Sequence, residues 1–191
     1  MTDARIVRSR ANLRQALLEM LESRPFEQVT IRDLAAASGV GYTTFFRHYP
    51  SKEALLGDVA VREVGQLHAM TLPVYDALDS AAACLALCTY VDQHRSLWTA
   101  LLAGAPGYVR EEMLRLGREA VAVRTRSWLP QDLGVVLGVA VIVELLGWWL
   151  QQPEPPPAAQ IAEILDRVAI SPAQAPAGAT PPTSASPDRI A

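Results

Sequence analysis

The stretch SGVGYTTFFRHYPSKEAL, Ser38 to Leu55, reads as a turn, a short helix and the capped start of a third helix. Just upstream, Thr30 followed by Asp33 has the spacing of a capping box, in which the Thr hydroxyl accepts an orphan amide and the carboxylate faces the positive end of a helix. A helix is therefore expected to start at Ile31. It is expected to end near Ser38, because Gly39 adopts the left-handed conformation that closes a helix at almost no steric cost. Helix, glycine-containing turn and helix form the signature of a helix-turn-helix, a device that reads DNA.

In the second helix of this unit, Phe45 and Tyr49 stand four apart and form an inward pair, while Thr43, Thr44 and Arg47 project to the opposite side and Tyr42 and Phe46 flank it. A helix this short, with hydroxyls at its N-terminal end, fits a major groove, where Thr offers a hydrogen bond and a methyl contact to thymine. Pro50 blocks continuation, and Ser51 caps a further helix whose first turn carries Lys52. A cation there opposes the helix dipole, yet it points an ammonium and the free amides together at an anion such as a DNA phosphate. Lys52 is the only lysine, against sixteen arginines.

These residues resemble the signature G-V-S-x-x-T-F-Y-x-H-F-x-S-K-E-x-L of the tetracycline-repressor (TetR) family of bacterial transcription regulators; here Gly39 to Leu55 reads GVGYTTFFRHYPSKEAL. The resemblance covers about a quarter of the chain, and elsewhere extends only to length and helical character. It implies phosphate contacts by Thr30, His48 and Lys52, and base or sugar contacts by Tyr42, Thr43, Thr44 and Arg47, with Arg32 as an addition. Two positions depart from the signature. Gly41 replaces the Ser or Thr that caps the reading helix, at a cost of a few tenths of a kcal/mol, roughly. Phe46 replaces a Tyr that reaches phosphate, leaving a ring able to press on a thymine methyl.

The charge distribution agrees. Net charge is −3 overall, but residues 1–52 hold eight Lys+Arg against five Asp+Glu, and residues 53–191 hold nine against fifteen. A basic head on an acidic body concentrates counterion release at the motif. Arg5, Arg8 and Arg10 read as a basic arm preceding or opening helix one. That helix is expected over Ala4 to Ser23, with Ile6, Leu13, Leu17, Met20 and Leu21 as its apolar face. Phe26 and Val29 are expected to plug the small three-helix core.

The expected fold is all-α: a helix-turn-helix DNA-binding domain over residues 1–52, a helical ligand-binding and dimerisation bundle over 53–170, and a disordered Pro/Ala/Ser-rich tail over 171–191. A fourth helix is expected from Lys52 to Met70, broken at Leu72-Pro73, and others near Val74–Val91, Arg95–Ala103, Pro106–Trp128, Gln131–Gln152 and Ala158–Ile170. Cys84 and Cys88 read as core thiols, since no further Cys or His cluster completes a metal site. The Arg-rich N-terminus lacks the apolar run of a secretory signal, which points to the cytoplasm.

Leu133 to Leu150 has the length and apolarity of a membrane span, but a helix apolar all round also suits an interior or an obligate interface. Gly134 and Gly138 allow a close partner, and Ile161, Ile164, Leu165 and Val168 make the next helix amphipathic. The family's last two helices pair with their two-fold mates, so the resemblance implies a homodimer through residues 131–170 and no membrane. Between head and interface stand Tyr90, His94, Trp98, Trp128, Glu144, Trp148 and Trp149, candidates for the wall of a small-molecule effector pocket. Glu144, a lone carboxylate in an apolar run, must be paired, protonated, exposed or turned toward a ligand.

The expected function is a dimeric repressor that leaves a double-stranded operator when a small molecule binds. Neither a cofactor nor a catalytic or metal-binding residue set is expected, because no Gly-rich phosphate loop, H-E-x-x-H or G-x-S-x-G is present. The alternative is a helical sensor that has lost sequence-specific DNA binding.

Overall fold

The computed structural model describes residues 4–76, 79–121 and 129–170. Among them there are helices and no strand: α1 (Ala4–Leu21), α2 (Ile31–Ser38), α3 (Tyr42–His48), α4 (Lys52–Asp76), α5 (Ser80–Gln93), α6 (Arg95–Gly104), α7 (Pro106–Val121), α8 (Gln131–Leu150) and α9 (Ala158–Leu165), which runs on into a π-helical turn at Asp166–Ile170. A short 3-10 turn, Phe26–Gln28, links α1 to α2.

Local chemistry sets most of these boundaries. The capping box is formed in full, with the Thr30 hydroxyl accepting from the Asp33 amide and the Asp33 carboxylate accepting from the Thr30 amide, both at 3.2 Å. Gly39 closes α2 with φ 66°. Ser51 caps α4 by accepting from the Ala54 amide at 3.2 Å. Asp79 caps α5 by accepting from Ala82 at 2.8 Å, so α5 starts at Ser80 and not at Val74. Pro106 opens α7, where its missing amide costs nothing.

α4 corrects a further expectation, because it passes through Pro73 and ends at Asp76. So close to the end of a long helix, proline removes only one ladder bond, the one due to the Ala69 carbonyl, which packing of a 25-residue helix outweighs. α1 starts at Ala4 as expected and the Arg5, Arg8 and Arg10 cluster opens it; Leu13, Leu17 and Leu21 are buried, and only Ile6, which is exposed, departs from the expected apolar face. The expected tail and Trp128 lie outside the described residues.

One core runs from head to body. Leu13 and Leu17 of α1, Phe26 and Val29 of the connection, Leu34 of α2 and Phe45 of α3 meet Leu55, Leu56 and Val59 on the first turns of α4. α4 continues into the body, where Val64 and Leu67 meet α5 with its buried Cys84 and Cys88, the α6 residues Trp98 and Leu101, Trp149 of α8, and Ile161 and Leu165 of α9. Burial pushes both thiols up to about 12, so they are protonated fillers.

Two side chains of α4 tie the head together. The Lys52 ammonium donates to the carbonyls of Phe26 (3.0 Å), Glu27 (3.3 Å) and Val29 (2.9 Å), and lies 4.5 Å from the Phe26 ring centre. Asp58 accepts from the Tyr49 hydroxyl and, at 2.9 Å, from Arg14, while the Arg10 guanidinium sits 5.2 Å from the Tyr49 ring centre. Asp58 thus joins α1, the end of α3 and α4. Burial alone would raise its carboxyl, but the bonds from Tyr49 and Arg14 and the charges of Arg14 and Arg10 outweigh it and hold it below the usual carboxylate range. Burial and Asp58 together push the Tyr49 phenol up to about 12.

A carboxyl depressed by folding stabilises above its unfolded pKa, near 3.9, and that contribution is lost as pH falls through the folded value. Asp58→Asn is therefore expected to cost about 1 to 3 kcal/mol at pH 7. In denaturant melts the gap to the parent chain should close as the pH drops below about 4; a gap independent of pH would contradict the role given to the carboxylate.

Candidate nucleic-acid interface

The reading surface follows from which side of α3 is buried. Phe45 is fully buried and Tyr49 nearly so, which fixes the helix on the core. At 100° per residue, the remaining positions must face outward. Thr43, Phe46 and Arg47 are exposed, Thr44 half-buried, and Tyr42 stands 50% and Phe46 44% exposed. The rings of Tyr42 and Phe46 meet edge to face with centres 5.3 Å apart, and Phe46 meets Phe45 likewise at 5.5 Å. A solvated apolar pair beside two threonines and an arginine offers a base edge both methyl contacts and hydrogen bonds.

The N-terminus of α3 has no side-chain cap, since Gly41 contributes only backbone. Its first amides have no acceptor from a capping side chain. Thr30 and Arg32 are exposed at the start of α2, with the Thr30 hydroxyl serving the capping box. The bonds from Thr30, with Arg24 adding to them, hold the Asp33 carboxyl below its ordinary value, so the box stays ionised. His48 is half-buried at the far end of α3. Burial, then the charges of Arg10 and Arg47, lower its pKa, so the imidazole is neutral at pH 7 and surrounded by cations.

Lys52 has three carbonyls around its ammonium, so each N–H has an acceptor inside the protein and the side chain clamps the α1–α2 connection. Arg14 and Asp58, which sequence reasoning passed over, hold α3 in place together with Arg10, which it read only as part of a basic arm. Their partners lie nine to forty-four residues away, so no local spacing announces them.

The suspected effector residues divide. Tyr90, His94 and Trp98 come together, with Tyr90 and His94 ring centres 4.4 Å apart and Tyr90 and Trp98 6.5 Å. The Tyr90 hydroxyl donates to Glu63 of α4 at 2.7 Å, and Trp98 is fully buried with its indole N–H lacking an acceptor. Glu144 and Trp148 do not join them. Both are exposed on a strip of α8 shared with Leu133 and Leu137, opposite the buried Val135, Val139, Leu146 and Trp149. The helical period dictates this, because Glu144 lies about 200° around the helix from Leu146. Trp149 is a packing residue, its N–H donated to the Pro156 carbonyl at 2.8 Å and its ring covered by Arg95 at 5.0 Å.

The sequence profile of bacterial regulatory proteins of the tetR family matches residues 13–59. The HTH-type transcriptional repressor Rv3405c of Mycobacterium tuberculosis is 32% identical over 146 residues, which cover 75% of this chain and 73% of that protein. The HTH-type regulator YxbF of Bacillus subtilis is 35% identical over 66 residues, so the match spans 34% of this chain and only 17% of YxbF's length. Among solved structures, Thermus thermophilus FadR, a TetR-family repressor in complex with lauroyl-CoA, superposes with a TM-score of 0.67 at 18% identity, covering 90% of this chain and 98% of that one. That likeness speaks for the fold. Helix-turn-helix, exposed reading face and a repressor relative matched over most of its length lead to one conclusion: the chain belongs to the TetR family of bacterial regulatory proteins, which are DNA-binding transcription regulators.

Proposed function

We propose that this chain is a homodimeric, cytoplasmic repressor that binds a double-stranded operator through two copies of α3 and leaves it when a small molecule enters the body. The observation that carries the reading is the division of α3 into a buried Phe45–Tyr49 side and an exposed side of Tyr42, Thr43, Phe46 and Arg47. Thr43, Thr44 and Arg47 contact base edges, Tyr42 and Phe46 contact thymine methyls and sugars, and Thr30, Arg32 and His48 contact phosphates. In the functional division the DNA-binding head takes in the first two turns of α4, since Leu55, Leu56 and Asp58 complete its core.

The dimer forms through α8 and α9. α8 is long and apolar enough to cross a membrane, with mean hydropathy 2.2, yet only 22% of that apolar window is buried in the single chain. Its exposed apolar residues, Leu133, Leu137 and Trp148, form one strip, and α9 and the π-helical turn after it add Ile164 and Val168. One strip interrupted by the Glu144 charge suits a second copy of the chain better than lipid on all sides. The effector site is placed at Tyr90, His94 and Trp98. The unpaired indole N–H favours an apolar molecule carrying one hydrogen-bond acceptor, which would recover the roughly 1 to 3 kcal/mol that an unsatisfied buried donor costs.

Two predictions separate these roles. On duplexes selected from a random pool by the full chain, Thr44→Ala and Arg47→Ala should lose roughly 1 to 3 kcal/mol at particular base pairs. Lys52→Met, in contrast, should lower the melting temperature and leave base preference and salt slope unchanged. A selected pool with no enriched sequence would favour the sensor that does not read DNA. In sedimentation velocity, Trp148→Glu should shift the dimer toward monomer; an unchanged dimer would move the interface away from α8.

A further inference from the structure

The last turn of α3 gathers basic groups from two helices. Arg47 and His48 end α3, and Arg10 comes from α1, its guanidinium 5.2 Å from the ring centre of Tyr49, the residue after His48. Arg10 and Arg47 are exposed and His48 is half-buried. Asp58, the carboxylate whose charge reaches Arg10, is already engaged by Tyr49 and Arg14. Among the described residues neither Arg10 nor Arg47 stands in an ion pair. Two permanent cations therefore flank one titratable ring at the rim of the reading surface, with no anion of the protein to balance them.

The charges that reach the His48 imidazole are Arg10 from α1 and Arg47 from α3, and among the described residues α2 and α4 add none. In the free chain burial and then these two charges disfavour the imidazolium, so the ring is neutral at pH 7. A phosphate changes that balance, because it offsets both guanidinium charges and accepts a hydrogen bond from the charged ring. We propose that the end of α3 is a proton-coupled seat for a backbone phosphate: Arg10 and His48 hold the phosphate together, and His48 takes up a proton as operator DNA binds. The inference rests on the DNA-binding function proposed above, in which His48 meets phosphate. It adds Arg10 to the contact and makes affinity depend on pH near neutrality, where histidine alone of the ordinary side chains changes charge. The complex holds the proton more tightly than the free head does. Operator affinity therefore rises as pH falls, and levels off once the free head carries the proton as well. Each head takes up its own proton, so a site bound by two heads takes up two.

The test uses the full chain on two duplexes: the site that the parent protein selects from a random pool, and the same site cut at its dyad to leave one half. Between pH 6 and pH 8, half-site affinity should fall about tenfold and full-site affinity about a hundredfold. Calorimetry at pH 7 in PIPES and in imidazole, buffers of different ionisation heat, should show net proton uptake, larger on the full site. His48→Gln, which keeps a donor and cannot accept the proton, should abolish the uptake and flatten both pH profiles. Arg10→Gln should flatten the salt slope by about one per head. No proton uptake by the parent, uptake unchanged in His48→Gln, or an unchanged salt slope in Arg10→Gln would overturn the proposal. If His48→Gln fails to fold, the proton resonances of the three imidazoles in the parent decide. One of them should stay charged to higher pH in the half-site complex than in the free chain, and none doing so overturns the proposal. Failure of the parent to select any sequence is read first and overturns the DNA-binding function with this inference, whereas selection without proton uptake overturns this inference alone.

Discussion

The grip of Asp58 on Tyr49 and Arg14 is the constraint on which the rest of the head depends. α3 has only seven residues, too few to be stable alone. It exists because Phe45 is inserted in the core and because Tyr49, the residue that ends it, is fastened to α4. The same carboxylate fixes α1 through Arg14, so three helices share one hub. Lys52 adds a second fastening from α4 to the connection between α1 and α2. Both ties belong to the helix that also enters the body, which makes α4 the element through which body and reading face are joined.

That arrangement explains why the surface of α3 can be given over to recognition. None of its outward side chains is needed for the fold, since the buried side and the ties at its end position it. Gly41 and Phe46, the two departures from the family signature, both lie on this surface. Gly41 leaves the first amides of α3 without a side-chain acceptor, and Phe46 sets a phenyl in place of a phenol. Neither residue lies on the buried side that seats the helix.

What could be read from the sequence was mainly what is local. The capping box, Gly39, the Ser51 cap and the Phe45–Tyr49 pair depend on residues within four positions of one another, and the structure forms all of them. The Lys52 clamp was not legible because its acceptors are backbone carbonyls twenty-three to twenty-six residues away, which no side-chain pattern reveals. α4 outran its expected end because a proline rule drawn from helix interiors was applied near a terminus. Glu144 could not be placed from its apolar neighbours, which left it paired, protonated, exposed or turned toward a ligand. Its place on the helix is exposed in the single chain, and the helical period rather than the surrounding composition decides that.

The central claim is that two copies of this chain read one duplex, each through α3. Its most direct test is nuclease footprinting of the full chain on the DNA flanking its own gene, combined with the mass of the protected complex. The account predicts two chains on one duplex and two protected patches related by a dyad, with centres about 34 to 36 Å apart or a multiple of that. A single chain on the duplex, or protection without symmetry, would contradict it.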